Sequence, residues 1–354
     1  MTVRLTEVQR LATSGARAVE TFEADGHRYL AVPQLAYDAP GTPPGINGGT
    51  SNTDVLLFVH DGSGFVPHGT LPGVGGEDVE TFVIDGRLFL AVASIRMGSG
   101  PYNYRAGSPI YEWVDGAFAP FQSVLTTAAK QWRHWEVDGA HFLGVAQGHP
   151  ADPGLSSAIL RWDGAGFAPF QQLESVAGYN LYAFELDGEH YLAHADHALP
   201  SRLYRWDGAQ YVQHQELVER GGRAFLLLDR TLLVAKIDGD SLVLQWDGSR
   251  FQPHGTLAGG AGGREFALVG DHVVRVNFIR GTPAEPEPDL ASYVYRAPDF
   301  PLVADFPTTG GTDATAFDHD GATYLVVSHG LAPAASAAVF AAECIVYRVE
   351  EARV

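Results

Sequence analysis

Residues 183–206 read AFELDGEHYLAHADHALPSRLYRW, and the phrase inside this stretch recurs along the chain. It consists of an aromatic anchor, an Asp-Gly pair, an aromatic-Leu pair and, further on, a run such as Leu-Tyr-Arg-Trp-Asp-Gly. The anchors, of which the fifth and sixth belong to eroded copies, are Phe22, Phe82, Trp135, Phe184, Phe225, Phe266 and Phe317. A unit that recurs every roughly 40 to 60 residues indicates a solenoid, a propeller or an array.

Each unit is predicted to form four short strands, because short apolar or alternating runs are separated by turn residues. Asp-Gly pairs divide the first strand from the second and the third from the fourth. Asp-Gly between apolar runs is typical of a type I′ hairpin, in which both central residues have positive φ. In an up-and-down blade these tight turns share one face, the turn face. The longer loops of varied length share the other, the loop face, where we expect function.

The two ends of the chain predict how the ring closes. The last unit stops after its third strand, at Ile345–Val349, whereas Val3–Leu11 precedes the first unit and has the pattern of a fourth strand. An N-terminal strand that completes the last blade leaves no lone sheet edge. The prediction is an all-β, seven-bladed β-propeller of four-stranded antiparallel blades, forming a single domain over residues 1–354.

The amino-acid composition of the chain limits the classes of partner that it can bind. The net charge of −19 argues against nucleic acid and against an anionic membrane surface, since both attract basic proteins. The chain has a single cysteine, Cys344, no run of about 18 apolar residues and no visible signal peptide. We therefore expect a soluble, cytoplasmic monomer. No strong metal-ligand spacing or phosphate-binding loop is present, and we expect no metal and no cofactor.

The repeated phrase Phe-x-x-Asp-Gly-x-x-Tyr-Leu, then Leu-Tyr-Arg-Trp-Asp-Gly, then Phe-x-Pro-Phe-Gln resembles the epilepsy-associated repeat, also called the EPTP repeat. Phe121-Gln122 and Phe170-Gln171 strengthen the resemblance. It implies a seven-bladed propeller, here a freestanding one, and it implies no catalytic residue. In the leucine-rich glioma-inactivated family such propellers bind receptor ectodomains, which supplies a partner class by analogy only.

The first strands should line a central channel, with their first residues at the loop face. Counting two residues back from each anchor predicts one polar ring, formed by Glu20, Glu80, Arg133, Tyr182, Arg223, Arg264 and Thr315. The functional interpretation is a site where Arg forks hold an anionic ligand, with Trp132 as part of an apolar wall. The alternative is that these groups pair between blades and cap a water-filled channel.

The ends of the second strands predict a second polar set, which includes Gln147, His194, Asp196, Lys236, Asn277 and His329. Gln147 and Asn277 are candidate ligand contacts. Asp196 is predicted to orient His194 for acid–base chemistry, and His329 and Lys236 are further candidate catalytic groups. The alternative is an ordinary exposed polar loop.

Three functions stay open at this stage. The first is a recognition propeller that binds a small molecule or peptide at the loop-face mouth. The second is a cofactor-free enzyme of cyclase, isomerase or lyase type that uses the same mouth. The third is a platform for protein interaction, as in the animal relatives.

Overall fold

The computed structural model describes residues 2–43, 45–150, 154–333 and 339–352. Seven four-stranded antiparallel sheets follow one another around an axis, which confirms the predicted β-propeller. Among the described residues, the helical structure is a single 3-10 turn, Gly45–Asn47. No helix in these ranges is long and apolar enough to cross a bilayer.

Within each blade the strands are given from the axis outward. Blade 1 contains β2 (Glu20–Ala24), β3 (His27–Val32), β4 (Asp54–His60) and β5 (Phe65–Pro72). Blade 2 contains β6 (Gly76–Ile84), β7 (Arg87–Ser94), β8 (Arg105–Val114) and β9 (Ala117–Thr127). Blade 3 contains β10 (Gln131–Val137), β11 (Ala140–Ala146), β12 (Ala158–Trp162) and β13 (Phe167–Gln172). Blade 4 contains β14 (Gly178–Leu186), β15 (Glu189–Asp196), β16 (Ser201–Trp206) and β17 (Tyr211–Val218).

The remaining blades complete the circle. Blade 5 contains β18 (Gly222–Leu228), β19 (Thr231–Lys236), β20 (Leu242–Trp246) and β21 (Phe251–Thr256). Blade 6 contains β22 (Gly263–Val269), β23 (His272–Asn277), β26 (Asp289–Arg296) and β27 (Leu302–Thr309). Its connecting loop carries a two-stranded ribbon, β24 (Arg280–Gly281) with β25 (Pro286–Glu287). Blade 7 contains β28 (Gly311–His319), β29 (Ala322–His329), β30 (Cys344–Ala352) and, outermost, β1 (Thr2–Leu11).

The N-terminal strand closes the ring as the sequence predicts. β1 runs antiparallel to β30, with Leu5 opposite Val349 and Arg10 opposite Ile345. Closure from both chain ends pairs the edge that the last blade would otherwise expose.

The Asp-Gly pairs form two kinds of turn, which corrects the single type that was predicted. Between the first two strands both residues have positive φ, as at Asp85 (51°) and Gly86 (76°), the type I′ arrangement. At most of the outer turns the aspartate instead accepts hydrogen bonds from the backbone. Asp163 Oδ1, for example, accepts from the N–H groups of Ala165 and Gly166, and there only Gly164 has positive φ.

The core lies between neighbouring blades. Phe82 and Phe89 of blade 2, for instance, pack with Trp132, Leu143 and Phe167 of blade 3. On the loop face, loops of blades 1, 6 and 7 bury a further apolar cluster, which we call the loop cap: Leu35, Ala36, Phe278, Ile279, Leu331 and Phe340. The packing therefore fixes the innermost strands around the axis, and the loop cap covers one side of the channel mouth.

Candidate functional site at the channel mouth

A cavity opens where the innermost strands begin, on the loop face. It encloses about 170 Å³ of space accessible to water, and all seven blades contribute to its wall. Its lining is dominated by charged and polar side chains. These side chains form two layers, which we call the collar and the acid layer.

The collar contains one residue from each blade, at the start of the innermost strand. Its members are Arg17, Glu77, Lys130, Tyr179, Arg223, Arg264 and Thr312. In five blades the collar residue is the extra residue of a β-bulge, since the pairing register shifts across it. In blades 1 and 3 the collar residue is identified by its place in the chain. Arg17 lies three residues before Glu20, and Lys130 lies three residues before Arg133, just as Glu77 lies three residues before Glu80.

A glycine stands immediately before each of the five bulged residues, and close packing explains it. A Cβ at Gly178 would lie 2.3 Å from Ser157 Oγ, and one at Gly222 would lie 2.3 Å from Ser201 Oγ. Both serines lie at the start of the third strand of the preceding blade: Ser201 is the first residue of β16, and Ser157 lies just before β12. The glycine therefore lets neighbouring blades approach closely, and the bulge then turns the next side chain into the channel.

On one side of the collar, Glu77 is held between two arginines. Arg17 makes a bidentate contact with it, at 2.8 and 2.7 Å, and Arg264 Nη2 donates to Glu77 Oε1 at 2.8 Å. Burial raises the pKa of the Glu77 carboxyl, but the two guanidinium groups outweigh burial and lower it to about 2. Both arginines also lie against the Phe278 ring of the loop cap. Glu77 therefore stays ionised and neutralises only part of this positive charge.

On the other side, the cations have no carboxylate partner among the described residues. Arg223 is 4% exposed, stacks 3.5 Å above the Tyr179 ring and contacts His197 Nε2 at 3.2 Å. Lys130 Nζ donates to the carbonyls of Ala128 and Gly148. Burial lowers the pKa of Arg223 to about 9, which still leaves it charged at neutral pH. The collar thus carries an excess of positive charge.

Tyr179 belongs to the same side. Burial raises the pKa of its hydroxyl, but Arg223, assisted by Arg264 and Arg17, outweighs burial and lowers that pKa below its usual value. A phenol surrounded by cations is a good hydrogen-bond donor to an anion.

The acid layer lies one to three residues further along the same strands. It contains Glu20, Asp78, Glu80, Glu265 and Asp313, together with one cation, Arg133. Part of its role is structural, because carboxylates of one blade accept from backbone N–H groups of the next. Asp78 accepts from Trp132 N at 2.9 Å and Glu80 from His134 N at 2.8 Å. Arg133 approaches Glu80 at 3.2 Å.

Burial and mutual repulsion raise the pKa values of several of these carboxyls. Burial, followed by repulsion from Glu80, raises the pKa of Glu20 to about 8. Burial and then Asp313 raise the pKa of Glu265 to about 8. Burial also raises the pKa of Asp313, to about 6. The layer therefore holds protons at neutral pH and can exchange them for another cation.

The predicted single ring is in fact two layers. Glu20, Glu80 and Arg133 lie in the acid layer, whereas Arg223 and Arg264 lie in the collar. The reason is that β18 and β22 are each seven residues long, two fewer than β6. Phe225 and Phe266 therefore lie nearer to the collar than the other anchors do. Counting two residues back from them reaches the collar rather than the acid layer.

Two predicted contacts fall elsewhere. Trp132 is fully buried in the core, and its Nε1 donates to the Val92 carbonyl, so it does not form a cavity wall. Tyr182 packs against the core of blades 4 and 5, and its hydroxyl accepts from Leu227 N. Tyr179, three residues earlier, lines the cavity in its place. The glycine before the bulge was the sequence signal that could have revealed it.

The second predicted set holds loops and does not line the cavity. Gln147 accepts from Thr127 N and donates to the Ser156 carbonyl, and the Asn277 amide donates to the Ala291 carbonyl. Asp196 accepts from four backbone N–H groups. Such contacts fasten the loops to the sheets, which explains why polar residues end the second strands.

The candidate catalytic groups are likewise engaged in the scaffold. His194 Nε2 contacts Ser157 Oγ at 3.0 Å rather than Asp196, and burial lowers the pKa of His194 to about 4. His329 Nδ1 contacts the Glu343 carbonyl, and Lys236 pairs with Asp238 at 3.2 Å. The predicted His194–Asp196 pairing is therefore wrong, because Asp196 is occupied by backbone groups. In the described part of the chain, no group of His, Cys, Asp or Glu side chains is arranged to hold a metal ion.

Comparison with known proteins agrees with the repeat pattern. The EPTP domain matches three segments, residues 4–51, 64–114 and 166–207. The human Thrombospondin-type laminin G domain and EAR repeat-containing protein is 34% identical over 90 residues. This covers 25% of the chain and 13% of the relative. The mouse protein of the same name is 36% identical over 76 residues, 22% of the chain and 10% of the relative. The aligned segment is therefore only about a tenth of these relatives.

A solved structure supports the fold along the whole chain. The crystal structure of BBS1N in complex with ARL6DN matches with a TM-score of 0.60 at 12% identity, covering 99% of this chain and 98% of that one. At this identity the likeness concerns the fold alone. EPTP repeats on a propeller are a scaffold for recognition or protein interaction. The chain is a seven-bladed β-propeller, and three of its segments, together less than half of its length, match the EPTP domain.

Proposed function

We propose that this propeller is a recognition protein that binds a small molecule, or the end of a peptide, through an anionic group at the collar. The observation that carries the proposal is the unbalanced charge of the collar. Arg17, Lys130, Arg223 and Arg264 face one cavity that contains Glu77 as their carboxylate partner within the layer. Buried cations without full compensation are costly, and an anionic ligand would relieve that cost.

The donor set suits a carboxylate or phosphate. Arg264 is 6% exposed, and its Nη1 has no hydrogen-bond partner among the described residues. Guanidinium forks bind planar or tetrahedral anions in a directional manner, and the Tyr179 hydroxyl adds a further donor. The water-accessible space of about 170 Å³ lies below the roughly 300–1,000 Å³ of sites for drug-sized ligands, which favours a small ligand or a chain terminus.

The alternative of a cofactor-free enzyme has less support. His194, Asp196, His329 and Lys236 do not line the cavity, and each makes at least one polar contact with the scaffold. The groups at the mouth whose pKa values are shifted are Tyr179 in the collar and Glu20, Glu265 and Asp313 in the acid layer, none of which is a predicted catalytic residue. Binding is therefore the function that the geometry supports best.

Titration calorimetry with acetate, succinate and inorganic phosphate tests the proposal. We expect at least one probe to bind, and Arg223→Met to weaken that binding about 10- to 100-fold, because a hydrogen bond to a charged group contributes about 1.5–3 kcal/mol. Asp163→Asn on the turn face is the matched control and should leave binding unchanged. Absence of binding for every probe, or equal binding in Arg223→Met, would contradict the proposal.

A further inference from the structure

The two layers of the cavity carry opposite charge, and a ligand with one charge satisfies only one of them. We propose that the mouth binds a small free zwitterion, an α-amino acid or short ω-amino acid, with its carboxylate on the collar and its ammonium group on the acid layer. The inference rests on the proposed function and adds to it a second recognition element.

The acid layer has the composition of an ammonium site. Five carboxyls face a single guanidinium, that of Arg133, so the layer has an excess of acceptors. Acidic residues alone do not define a site, but Asn180 supplies an independent indication. It is 4% exposed and lines the cavity, and its Oδ1 has no hydrogen-bond partner among the described residues, while its Nδ2 lies 3.5 Å from Glu265 Oε2. A buried amide oxygen without a donor is costly, and an ammonium group would supply that donor.

The collar offers the complementary group one residue away along the strands. Arg264 and Glu265 are adjacent on β22, as Tyr179 and Asn180 are on β14. A strand rises about 3.3 Å per residue, so the unpartnered Nη1 of Arg264 and the unpartnered Oδ1 of Asn180 belong to levels only a few ångströms apart. The charges of a short amino acid are separated by a similar distance.

The walls and the size favour a free, compact ligand. A peptide presents one charged terminus at a time, whereas the two layers call for both charges on one small molecule. The acid layer is not arranged to hold a metal ion, and the cavity of about 170 Å³ is smaller than sites for drug-sized ligands. A small amino acid meets all of these conditions.

Calorimetry on the full chain with matched probe series tests the inference. The zwitterions are glycine, β-alanine and 4-aminobutanoate. Each is compared with the carboxylate that lacks the ammonium group (acetate, propanoate or butanoate) and with the alkylammonium ion that lacks the carboxylate. We expect one zwitterion to bind at least about 10-fold more tightly than both of its single-charge counterparts, the effect of one further charged hydrogen bond.

Variants separate the two layers. Asn180→Leu should lower the affinity for the zwitterion about 10-fold, to the affinity of the matched carboxylate. Its affinity for the carboxylate itself should stay within about twofold of the wild-type value. Asn180→Asp keeps an acceptor and should retain zwitterion binding. Thermal melting of each variant reports whether the fold is intact.

The outcomes distinguish the two proposals. Equal affinity for zwitterion and carboxylate, or an Asn180→Leu variant that folds and binds the zwitterion as tightly as wild type, would overturn the inference and leave the anion site standing. If inorganic phosphate alone binds, the zwitterion inference is wrong and the anion site stands. If zwitterions, carboxylates and phosphate all fail to bind, both proposals are wrong.

Discussion

The side chain of Gln9 holds both backbone groups of Phe65 across the junction that closes the ring. Gln9 Nε2 donates to the Phe65 carbonyl at 2.6 Å, and Gln9 Oε1 accepts from Phe65 N at 2.9 Å. The same two-bond contact joins Gln122 to Phe167, Gln171 to Tyr211 and Gln215 to Phe251 between consecutive internal blades. The closing junction between blades 7 and 1 is therefore built like the internal ones.

Replacing Gln9 with alanine should destabilise the protein by about 1–3 kcal/mol, because two backbone groups at a blade junction lose their partner. Unfolding in urea, followed by tryptophan fluorescence, measures the change. Gln213→Ala, an exposed position on β17, is the control and should have little effect. A Gln9→Ala protein as stable as wild type would show that the contact does not hold the ring.

Deletion of residues 1–11 should have a much larger effect and promote aggregation, since it exposes the edge of β30.

The arginines of the collar should respond differently to substitution by methionine. Arg264 is paired with the buried Glu77, so Arg264→Met removes part of a buried ion pair and should destabilise the fold by about 3 kcal/mol. Arg223 has no carboxylate partner in the described structure, so Arg223→Met should leave the melting temperature unchanged or raise it. Thermal unfolding of both variants checks the contrast. Equal losses of stability would mean that Arg223 has a structural partner of equal importance.

The acid layer should make stability fall as the pH rises. The folded-state pKa of Glu265, about 8, lies above its ordinary value of 4.5, so the folded state binds a proton that the unfolded state has released. Its contribution to stability is therefore complete below pH 4.5 and is lost as the pH rises to about 8. The charged and polar groups that interact with Glu265 are Asp313, Arg133, Asn180 and its own neighbour on β22, Arg264.

Glu265→Gln cannot ionise and should be more stable than wild type near pH 9 by up to about 5 kcal/mol, because the pKa of Glu265 rises from 4.5 to about 8 and one pKa unit corresponds to about 1.4 kcal/mol. The difference should vanish near pH 4, below the ordinary pKa of the carboxyl. Denaturant unfolding at the two pH values measures it. Glu77→Gln is the control with opposite sign, since the pKa of Glu77 is lowered to about 2 and its ionised form stabilises the fold at both pH values. A Glu265→Gln variant less stable than wild type near pH 9 would contradict the assignment.

Cys344 should be inert in the folded protein. Its side chain is buried between Thr13 and the core, and burial raises the pKa of the thiol to about 12. A thiol reagent such as dithiobis(nitrobenzoate) should react slowly near pH 8 and rapidly after addition of denaturant. Rapid reaction without denaturant would show that the edge between β1 and β30 opens readily.

The architecture was predictable because repeated local signals agree with one another. Asp-Gly turns, apolar strands and a repeat divided between the two chain ends each require the same ring. The site was predicted only in part. Counting from Phe225 and Phe266 assumed strands of equal length, whereas β18 and β22 are shorter. A bulge also adds a residue that no two-residue alternation can anticipate, so Glu77 and Tyr179 were missed. Arg17 and Lys130 were missed because they precede the paired part of their strands, β2 and β10.

Most of the collar residues sit outside the regular pairing of the sheets, on bulges that a preceding glycine makes possible. A substitution at one of these positions therefore changes the rim of the channel without disturbing strand register or the cores between blades. There are five such positions, one in each of blades 2, 4, 5, 6 and 7, and an ion pair links two of them, Glu77 and Arg264. The fold thereby offers a route by which one framework could acquire new ligand preferences one residue at a time.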